Sequence, residues 1–246
     1  MIGVIADDVT GANDVGSMFT KGQYVSDVYN FEQFDFHKEQ LKRSAPDALI
    51  LDTDSRFDDR RTAYEKVFDA TTESRRAGAE LFYKKTCSVF RGNIGAELDA
   101  VLDALGEEFA VVVLGFPKNG RTTKRGIHYV RGRKLEDSEF RNDPMHPMTQ
   151  SNLVQILQSQ TRRKVGSIHF ETVKEGVSVL QSEIERVKTK WNYVILDVTE
   201  QEDLRTIARA LKDVKIFCGS SALAEELPAV LGGNSHRDLQ LPEDTG

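Results

Sequence analysis

The chain has 246 residues, and its 33 basic and 39 acidic side chains give a formal net charge of −6. A content of 39% apolar and 29% charged residues is typical of a globular protein of one large or two small domains, and excludes disordered, collagen-like and coiled-coil chains. The sequence has no run near the roughly 20 apolar residues of a membrane span, no signal-peptide pattern, and too few cysteines for a disulfide framework or a zinc cluster. We therefore expect a cytoplasmic protein with a small-molecule site and without nucleic-acid or membrane partners.

Eight short β-branched segments alternate with longer helical patterns along the chain. Several of them are continuously apolar, which is typical of strands covered on both faces. The predicted strands are Ile2–Ala6, Val25–Tyr29, Ala48–Asp52, Glu80–Lys85, Ala110–Gly115, Val165–His169, Asn192–Asp197 and Lys215–Cys218.

Apolar spacing predicts helices between these strands. One helix follows residue 93, one begins near Val177, and one follows Thr199 and Glu202, whose spacing is that of a capping box. Strand–helix alternation of this kind favours a three-layer α/β fold, with a mostly parallel sheet flanked by helices.

One long connection, at about residues 117–149, shows little helical periodicity and is predicted to be an irregular excursion. Within it, the segment 128–135 is typical of a hairpin that turns near Gly132. After Leu231 the composition becomes that of a linker. We therefore expect residues 1–231 to form one domain and residues 232–246 to lead away from it.

Ligands of open parallel sheets bind just beyond the carboxyl ends of the strands, and four loops there carry suitable side chains. The first loop contains Asp7, Asp8 and Asp14, whose carboxylates can accept hydrogen bonds from sugar hydroxyls, hold a divalent metal or act as a base. The alternative is that Asp8 or Thr10 only caps the following helix, but three acids exceed what a cap needs.

The second loop follows the fourth strand and is basic. Lys84 and Lys85 end the strand, and Arg91, which precedes a helix, could bind a carboxylate or phosphate with two hydrogen bonds. Solvated surface charge is the alternative for Lys84. Cys87 has no histidine near it in sequence, which favours a buried structural thiol over a nucleophile.

The third loop combines residues 115–123 with the segment 143–149. Asn119 and the glycine after it suit a tight turn that presents Arg121 at the edge of the sheet. Two prolines bracket His146, which could hydrogen-bond a substrate or be structural, and no second ligand at metal spacing accompanies it.

The fourth loop follows the last strand and contains Gly219, Ser220 and Ser221, which could offer amide and hydroxyl donors to an anion or simply begin a helix. Walker, G-x-G-x-x-G and G-x-S-x-G motifs are absent from the sequence. A phosphatase with Asp7 as nucleophile is disfavoured, because its acids would be spaced as D-x-D whereas Asp7 and Asp8 are adjacent.

Five motifs, taken in order, resemble those of one known family, the N-terminal, substrate-binding domain of the four-carbon acid sugar kinases. These motifs are Ile5–Asp14, Lys84–Asn93, Phe116–Thr122, Asp143–Pro147 and Gly219–Ala224. The resemblance extends from the first strand to about Leu231. The sequence departs from the family at Cys87 and Val89, where Asp and Thr are usual.

The resemblance implies an ATP-dependent kinase that phosphorylates the terminal hydroxyl of threonate, erythronate or 3-oxo-tetronate. It also implies ATP and Mg²⁺ as cofactors, bound mostly by a nucleotide-binding domain that is present in cis or in trans. Residues 232–246 would then be the linker towards that domain. A non-catalytic sugar-acid binding module or subunit is the alternative, and a homo-oligomeric assembly is left open.

The resemblance also suggests roles for the residues of the four loops. Arg91, Arg121 and Lys85 would pair with the substrate carboxylate, while Asp7, Asp8 and Asn119 would bind its hydroxyls together with His146. Asp8 or Asp14 would be the catalytic carboxylate near the attacking hydroxyl. The loop of Gly219, Ser220 and Ser221 would face the phosphates of the nucleotide, and no residue is predicted to be a metal ligand.

Overall fold

A computed structural model of the chain describes residues 1–232, with side chains at all positions except 36, 40 and 42. The predicted linker at residues 232–246 therefore lies outside the described residues, apart from Gly232. In the described part of the chain, no helix combines the length and the apolar character needed to cross a membrane.

Eleven strands form two sheets in the described residues. The strands are Ile2–Ala6 (β1), Ser26–Asn30 (β2), Ala48–Asp52 (β3), Leu81–Lys85 (β4), Ala110–Val113 (β5), Arg121–Lys124 (β6), Ile127–Val130 (β7), Arg133–Lys134 (β8), Val165–Ile168 (β9), Tyr193–Leu196 (β10) and Ile216–Gly219 (β11).

Ten α-helices connect the strands within residues 1–232, together with short 3₁₀ segments at Phe31–His37, Pro117–Asn119, Leu135–Asp137 and Glu139–Asn142. The α-helices are Val9–Lys21 (α1), Lys38–Ser44 (α2), Arg60–Arg76 (α3), Ile94–Leu105 (α4), Leu153–Gln158 (α5), Phe170–Lys174 (α6), Val177–Val187 (α7), Gln201–Ala210 (α8), Ser221–Glu226 (α9) and Pro228–Leu231 (α10).

The larger sheet has eight parallel strands in the order β2-β3-β1-β4-β11-β5-β10-β9. All eight predicted strands are present and belong to this sheet. Alternate residues of each strand face opposite sides, so that Val111 and Val113 join one core and Val112 joins the other. Helices α1, α7, α8 and α9 contribute to the first core, and α3, α4 and α5 to the second. The three-layer α/β prediction is confirmed.

The predicted capping box of α8 is displaced by one residue. Glu200 is the N-cap, and the side chain of Asp203 accepts from the backbone N–H of Glu200 at 3.1 Å. Asp203 also accepts from the backbone N–H and the hydroxyl of Thr199, at 2.7 Å each. Thr199 and Glu202 therefore do not form the predicted box, because the helix begins one residue later than expected.

The excursion at residues 117–149 contains more regular structure than predicted. The hairpin of β7 and β8 is confirmed, and β6 adds a third antiparallel strand to it. The buried carboxylate of Asp197, at the end of β10, accepts from the backbone N–H groups of Arg125, Gly126 and Phe170 at 2.5, 2.9 and 3.0 Å. The hydrogen bonds from Arg125 and Gly126 therefore attach the turn between β6 and β7 to the carboxyl edge of the large sheet.

Candidate functional site

The candidate site lies at the carboxyl edge of the large sheet, where β1 has β3 and β4 as neighbours. The last residue of β1 pairs with Asp52 on one side and with Lys85 on the other. Because parallel strands end at the same edge, the loops at residues 7–8, 53–59 and 86–93 begin side by side.

Arg56 binds both acids that follow β1, and we call these three residues the carboxylate cluster. Its Nε and Nη2 donate to the two carboxylate oxygens of Asp7 at 2.8 Å each, and its Nη1 donates to Oδ2 of Asp8 at 2.5 Å. Asp7 is fully buried and Asp8 is partly exposed. The helix cap that we considered is also present, since Oδ1 of Asp8 accepts from the N–H of Gly11 at 2.8 Å.

Opposite charges keep Asp7 and Arg56 ionised in the interior. Burial alone would raise the pKa of the Asp7 carboxyl, but Lys84 and Arg56 outweigh it and hold this pKa below its usual value. Burial likewise disfavours the charged form of Arg56, yet its hydrogen bonds to Asp7 raise the pKa of the guanidinium. Both residues are therefore charged at neutral pH.

A second ion pair lies beneath the carboxylate cluster. Lys84 Nζ lies 2.9 Å from Oε2 of Glu97, whose other oxygen accepts from the hydroxyl of Ser55 at 2.6 Å. Burial disfavours the charged form of Lys84, but Glu97 and Asp7 outweigh this effect and raise the pKa of the ammonium. Lys84 is only 1% exposed, so the solvated-surface interpretation of this residue is wrong.

Lys85 is 5% exposed, yet its ammonium has neither a hydrogen bond nor an ion pair with any described residue. It lies close to Gly11, at the start of α1. A Cβ at position 11 would lie 2.4 Å from Lys85 Nζ and 2.6 Å from Oδ1 of Asp8, so only glycine leaves room for both groups. The ammonium of this buried lysine therefore lies beside the Asp8 carboxylate without a direct ion pair.

Arg91 and Arg121 both contact the ring of Phe140, and we call them the paired arginines. Their guanidinium carbons lie 5.2 and 5.5 Å from the centre of the Phe140 ring. Arg91 also donates to Oδ2 of Asp143 at 2.5 Å and to Sγ of Cys87 at 3.4 Å. The second and third predicted loops therefore converge, and the buried-thiol interpretation of Cys87 is confirmed.

His146 connects the paired arginines with the carboxylate cluster. Its Nε2 lies 2.9 Å from the carbonyl oxygen of Arg56, and its ring stacks on Phe57 with 5.6 Å between ring centres. Its backbone N–H donates to Oδ1 of Asp143 at 2.8 Å, and the other oxygen of this carboxylate binds Arg91. Direct contacts thus run across the whole candidate site.

Arg121 borders an open, basic hollow of about 530 Å³. Its Nη1 donates to the carbonyl oxygen of Asn119 at 2.5 Å, while its Nε is buried without a hydrogen-bond partner. Lys118 in the same hollow is paired with Glu225 at 2.6 Å, so Arg121 and Arg131 supply its free positive charge. The hollow is lined by Lys118, Asn119, Gly120, Arg121 and Arg131.

The remaining predicted residues are placed less centrally or make structural contacts. Asp14 is exposed in the second turn of α1, and the side chain of Asn119 is exposed at the end of its 3₁₀ segment. Gly219 pairs with Lys85 in the sheet, and the Ser220 hydroxyl caps α9 by accepting from a backbone N–H. The helix-start alternative for the fourth loop is therefore present, with Ser221 buried as the first residue of α9.

Three residues that organise the site were not predicted from the sequence, namely Arg56, Asp143 and Phe140. Arg56 lies four residues beyond β3, so the rule that selected the other loops would have found it if applied to this strand. Phe140 carried no comparable signal, because its role depends on the path of the excursion. In residues 1–232, no group of three or more His, Cys, Asp or Glu side chains is arranged to hold a metal ion.

The sequence of this chain is similar to a known protein family and to curated relatives. Residues 2–227 match a family described as a sugar-binding N-terminal domain. The chain is 32% identical over 238 residues to a 3-oxo-tetronate kinase of Actinobacillus succinogenes, an alignment that covers 95% of this chain and 56% of the relative. The chain therefore spans about half the length of the curated relatives it matches.

The fold of this chain is similar to those of solved structures. A Haemophilus influenzae protein superposes with a TM-score of 0.84 at 30% identity, over 92% of this chain and 55% of that one. A protein of unknown function from Bordetella bronchiseptica, solved as a domain-swapped dimer with bound citrate, superposes with a TM-score of 0.81 at 28% identity. That match covers 93% of this chain and 56% of the other.

Proposed function

Since this chain belongs to the family of sugar-binding N-terminal domains, we propose that it is the acceptor-binding part of an ATP-dependent kinase. Its substrate is a four-carbon sugar acid, namely threonate, erythronate or 3-oxo-tetronate, phosphorylated on the terminal hydroxyl. The observation that carries the proposal is the chain of contacts that connects the carboxylate cluster with the paired arginines through His146 and Asp143. The name of the curated relatives, 3-oxo-tetronate kinase, supports the same reaction class.

The charges in the site support binding of the acid end of the substrate at Arg121. Arg91 is already neutralised by Asp143, and Arg56 by Asp7 and Asp8. Arg121, in contrast, has no carboxylate within ion-pair distance among the described residues, and its Nε lacks an acceptor. The substrate carboxylate binds Arg121, because a guanidinium offers two parallel N–H donors to a carboxylate.

Asp8 is the carboxylate that receives the terminal hydroxyl. Both oxygens of Asp7 accept from Arg56 in the interior, so Asp7 positions Arg56 and does not contact the substrate. Asp8 remains partly exposed, and each of its oxygens can accept a further hydrogen bond. Asn119 and His146 bind the remaining hydroxyls, and Asp14 is the second candidate for the base.

Phosphoryl transfer then follows from this placement. The terminal hydroxyl oxygen attacks the γ-phosphorus of ATP, the new O–P bond forms, and the bond from γ-phosphorus to the β–γ bridging oxygen breaks to release ADP. The hydroxyl proton passes to the carboxylate of Asp8. ATP and the Mg²⁺ it carries are bound mainly outside residues 1–232, with the backbone of Gly219, Ser220 and Ser221 on the nucleotide side.

The proposal is tested by ligand-induced thermal stabilisation. A ligand that binds only the folded state raises Tm by mass action, so threonate or erythronate at about 100 times Kd should add about 2.7 kcal/mol to the free energy of unfolding. Arg121→Ala should abolish the rise in Tm, whereas Arg133→Ala, at an exposed site on β8, should retain it. Absence of stabilisation by any four-carbon sugar acid in the folded wild-type chain would overturn the proposal.

A further inference from the structure

Lys85 is a buried lysine whose ammonium is near Asp7 and Asp8 but is not in direct contact with either carboxylate. Its side chain is 5% exposed, and no described residue accepts a hydrogen bond from its ammonium or lies within ion-pair distance of it. An unpaired ammonium is costly to bury, so such a group usually has a bound anion or a role in binding one. The neighbouring cations do not share this property, since Lys84 is paired with Glu97 and Arg56 with both acids of the carboxylate cluster.

The same ammonium lies at the positive end of a helix. Helix α1 has 13 residues and begins at Val9, directly after Asp8. Its first N–H groups have no acceptor inside the helix, and the aligned peptide dipoles favour an anion at this end. Within this first turn, the Asp8 carboxylate accepts only from the N–H of Gly11, so the N–H groups of Val9 and Thr10 remain available to a ligand. Val9 and Thr10 are exposed, so solvent can reach this end of the helix.

Gly11 brings the two features together. A Cβ at this position would lie 2.4 Å from Lys85 Nζ and 2.6 Å from Oδ1 of Asp8. The ammonium, the Asp8 carboxylate and the first turn of α1 therefore lie next to one another. If Asp8 binds a substrate oxygen, a group attached to that oxygen lies close to the Lys85 ammonium and to the free N–H groups of α1.

We propose that Lys85 and the start of α1 form a subsite for the phosphoryl group that the substrate receives. This inference rests on the proposed function, in which the terminal hydroxyl lies at Asp8. The transferred group is bonded to that oxygen and carries about two negative charges, whereas the carboxylate at the other end of the substrate pairs with Arg121. The assignment differs from the sequence prediction, which placed Lys85 at the substrate carboxylate.

The test compares phosphorylated and unphosphorylated ligands by isothermal titration calorimetry. The probes are erythronate, 4-phosphoerythronate and inorganic phosphate. The variant is Lys85→Met, which retains the length of the side chain without its charge. Lys21→Met, at the exposed far end of α1, is the matched control.

In the wild-type chain we expect 4-phosphoerythronate to bind more tightly than erythronate. Lys85→Met should weaken binding of the phosphorylated acid by at least about tenfold and that of erythronate by less than about threefold, because a charge-assisted hydrogen bond is lost only at the phosphoryl end. Lys21→Met should change neither. An equal loss for both acids would place Lys85 at the carboxylate and overturn the subsite.

Inorganic phosphate separates this inference from the proposed function. It should raise Tm of the wild-type and Lys21→Met chains but not of Lys85→Met, even if no sugar acid binds. Phosphate stabilisation that is unchanged in Lys85→Met would overturn the subsite while leaving sugar-acid binding intact. Failure of erythronate alone would instead count against the proposed function.

Discussion

Arg56 donates two hydrogen bonds of 2.8 Å to the two carboxylate oxygens of Asp7, and both side chains are almost completely buried. This paired geometry fixes the guanidinium, whose third contact reaches Asp8. The pair connects the ends of β1 and β3, which are neighbours in the sheet. Buried Asp7 thus fixes the position of Arg56 and, through it, that of the Asp8 carboxylate.

Replacing Asp7 should therefore destabilise the fold as well as the site. Asp7→Asn leaves Arg56 buried with a weaker acceptor, and breaking one side of a buried ion pair costs about 3–5 kcal/mol. Urea unfolding should show this loss in the free energy of unfolding. Asp14→Asn, on exposed α1, is the control and should change stability by less than about 0.5 kcal/mol. Equal effects of the two substitutions would contradict the assigned role of Asp7.

Phe140 should contribute to ligand binding through the paired arginines. Each guanidinium above its ring gains about 0.5–1 kcal/mol from the cation–π interaction, so Phe140→Ala should weaken sugar-acid binding by roughly five- to thirtyfold. Calorimetric titration with erythronate measures this change. Phe170→Ala removes a ring that lies beneath Lys124, away from the paired arginines, and should leave the affinity unchanged. If both variants bound like the wild type, the paired arginines would not need the ring.

The large sheet could be predicted from sequence because its strands are short, apolar and separated by helical patterns. β6 could not, since Arg121–Lys124 is polar and has no apolar alternation. It pairs as a strand because β7 lies beside it and Asp197 holds the turn between them. Its formation depends on residues more than 70 positions away, which local patterns do not report.

The same distinction applies to the candidate site. The rule that ligands bind at the carboxyl ends of parallel strands identified loops that do contact one another. That rule could not predict which charged residues form ion pairs with each other, because Arg56 reaches Asp7 only when β3 lies next to β1. Strand order, rather than residue type, decides which charges are neutralised and which remain free for a ligand.

Buried His128 should make the stability of the fold depend on pH. Burial lowers the pKa of its imidazole to about 4, and Nδ1 lies 3.0 Å from the hydroxyl of Thr123. The unfolded chain binds a proton with a pKa near 6.5 while the folded chain remains neutral, so stability is complete above that value and falls as pH decreases towards about 4. Between pH values well above 6.5 and well below 4, the free energy of unfolding should fall by about 3 kcal/mol because of this residue.

Urea unfolding at pH 7 and at pH 5 measures this slope. His128→Gln should flatten the dependence between these two values, whereas His169→Gln, at an exposed position, should leave it as in the wild type. A slope that persists in His128→Gln would assign the proton uptake to another group.

The buried pair of Lys84 and Glu97 should show strong coupling in a double-mutant cycle. Lys84→Met leaves a buried carboxylate without its cation, and Glu97→Gln leaves a buried ammonium, while the amide oxygen can still accept from Ser55. Each single substitution should cost about 3–5 kcal/mol, because an unpaired charge remains in the interior. The double variant removes both charges and should lose at least about 1 kcal/mol less than the sum of the single losses.

The free energies of unfolding of the four chains give the coupling directly. The matched control is the cycle of Lys118→Met and Glu225→Gln, since this pair lies 2.6 Å apart but is partly exposed, where ion pairs contribute less than about 1 kcal/mol. Additive losses at Lys84 and Glu97, within about 0.5 kcal/mol, would show that the two charges act independently. Strong coupling confined to the buried pair would instead show that the ion pair of Lys84 and Glu97 stabilises the region beneath the carboxylate cluster.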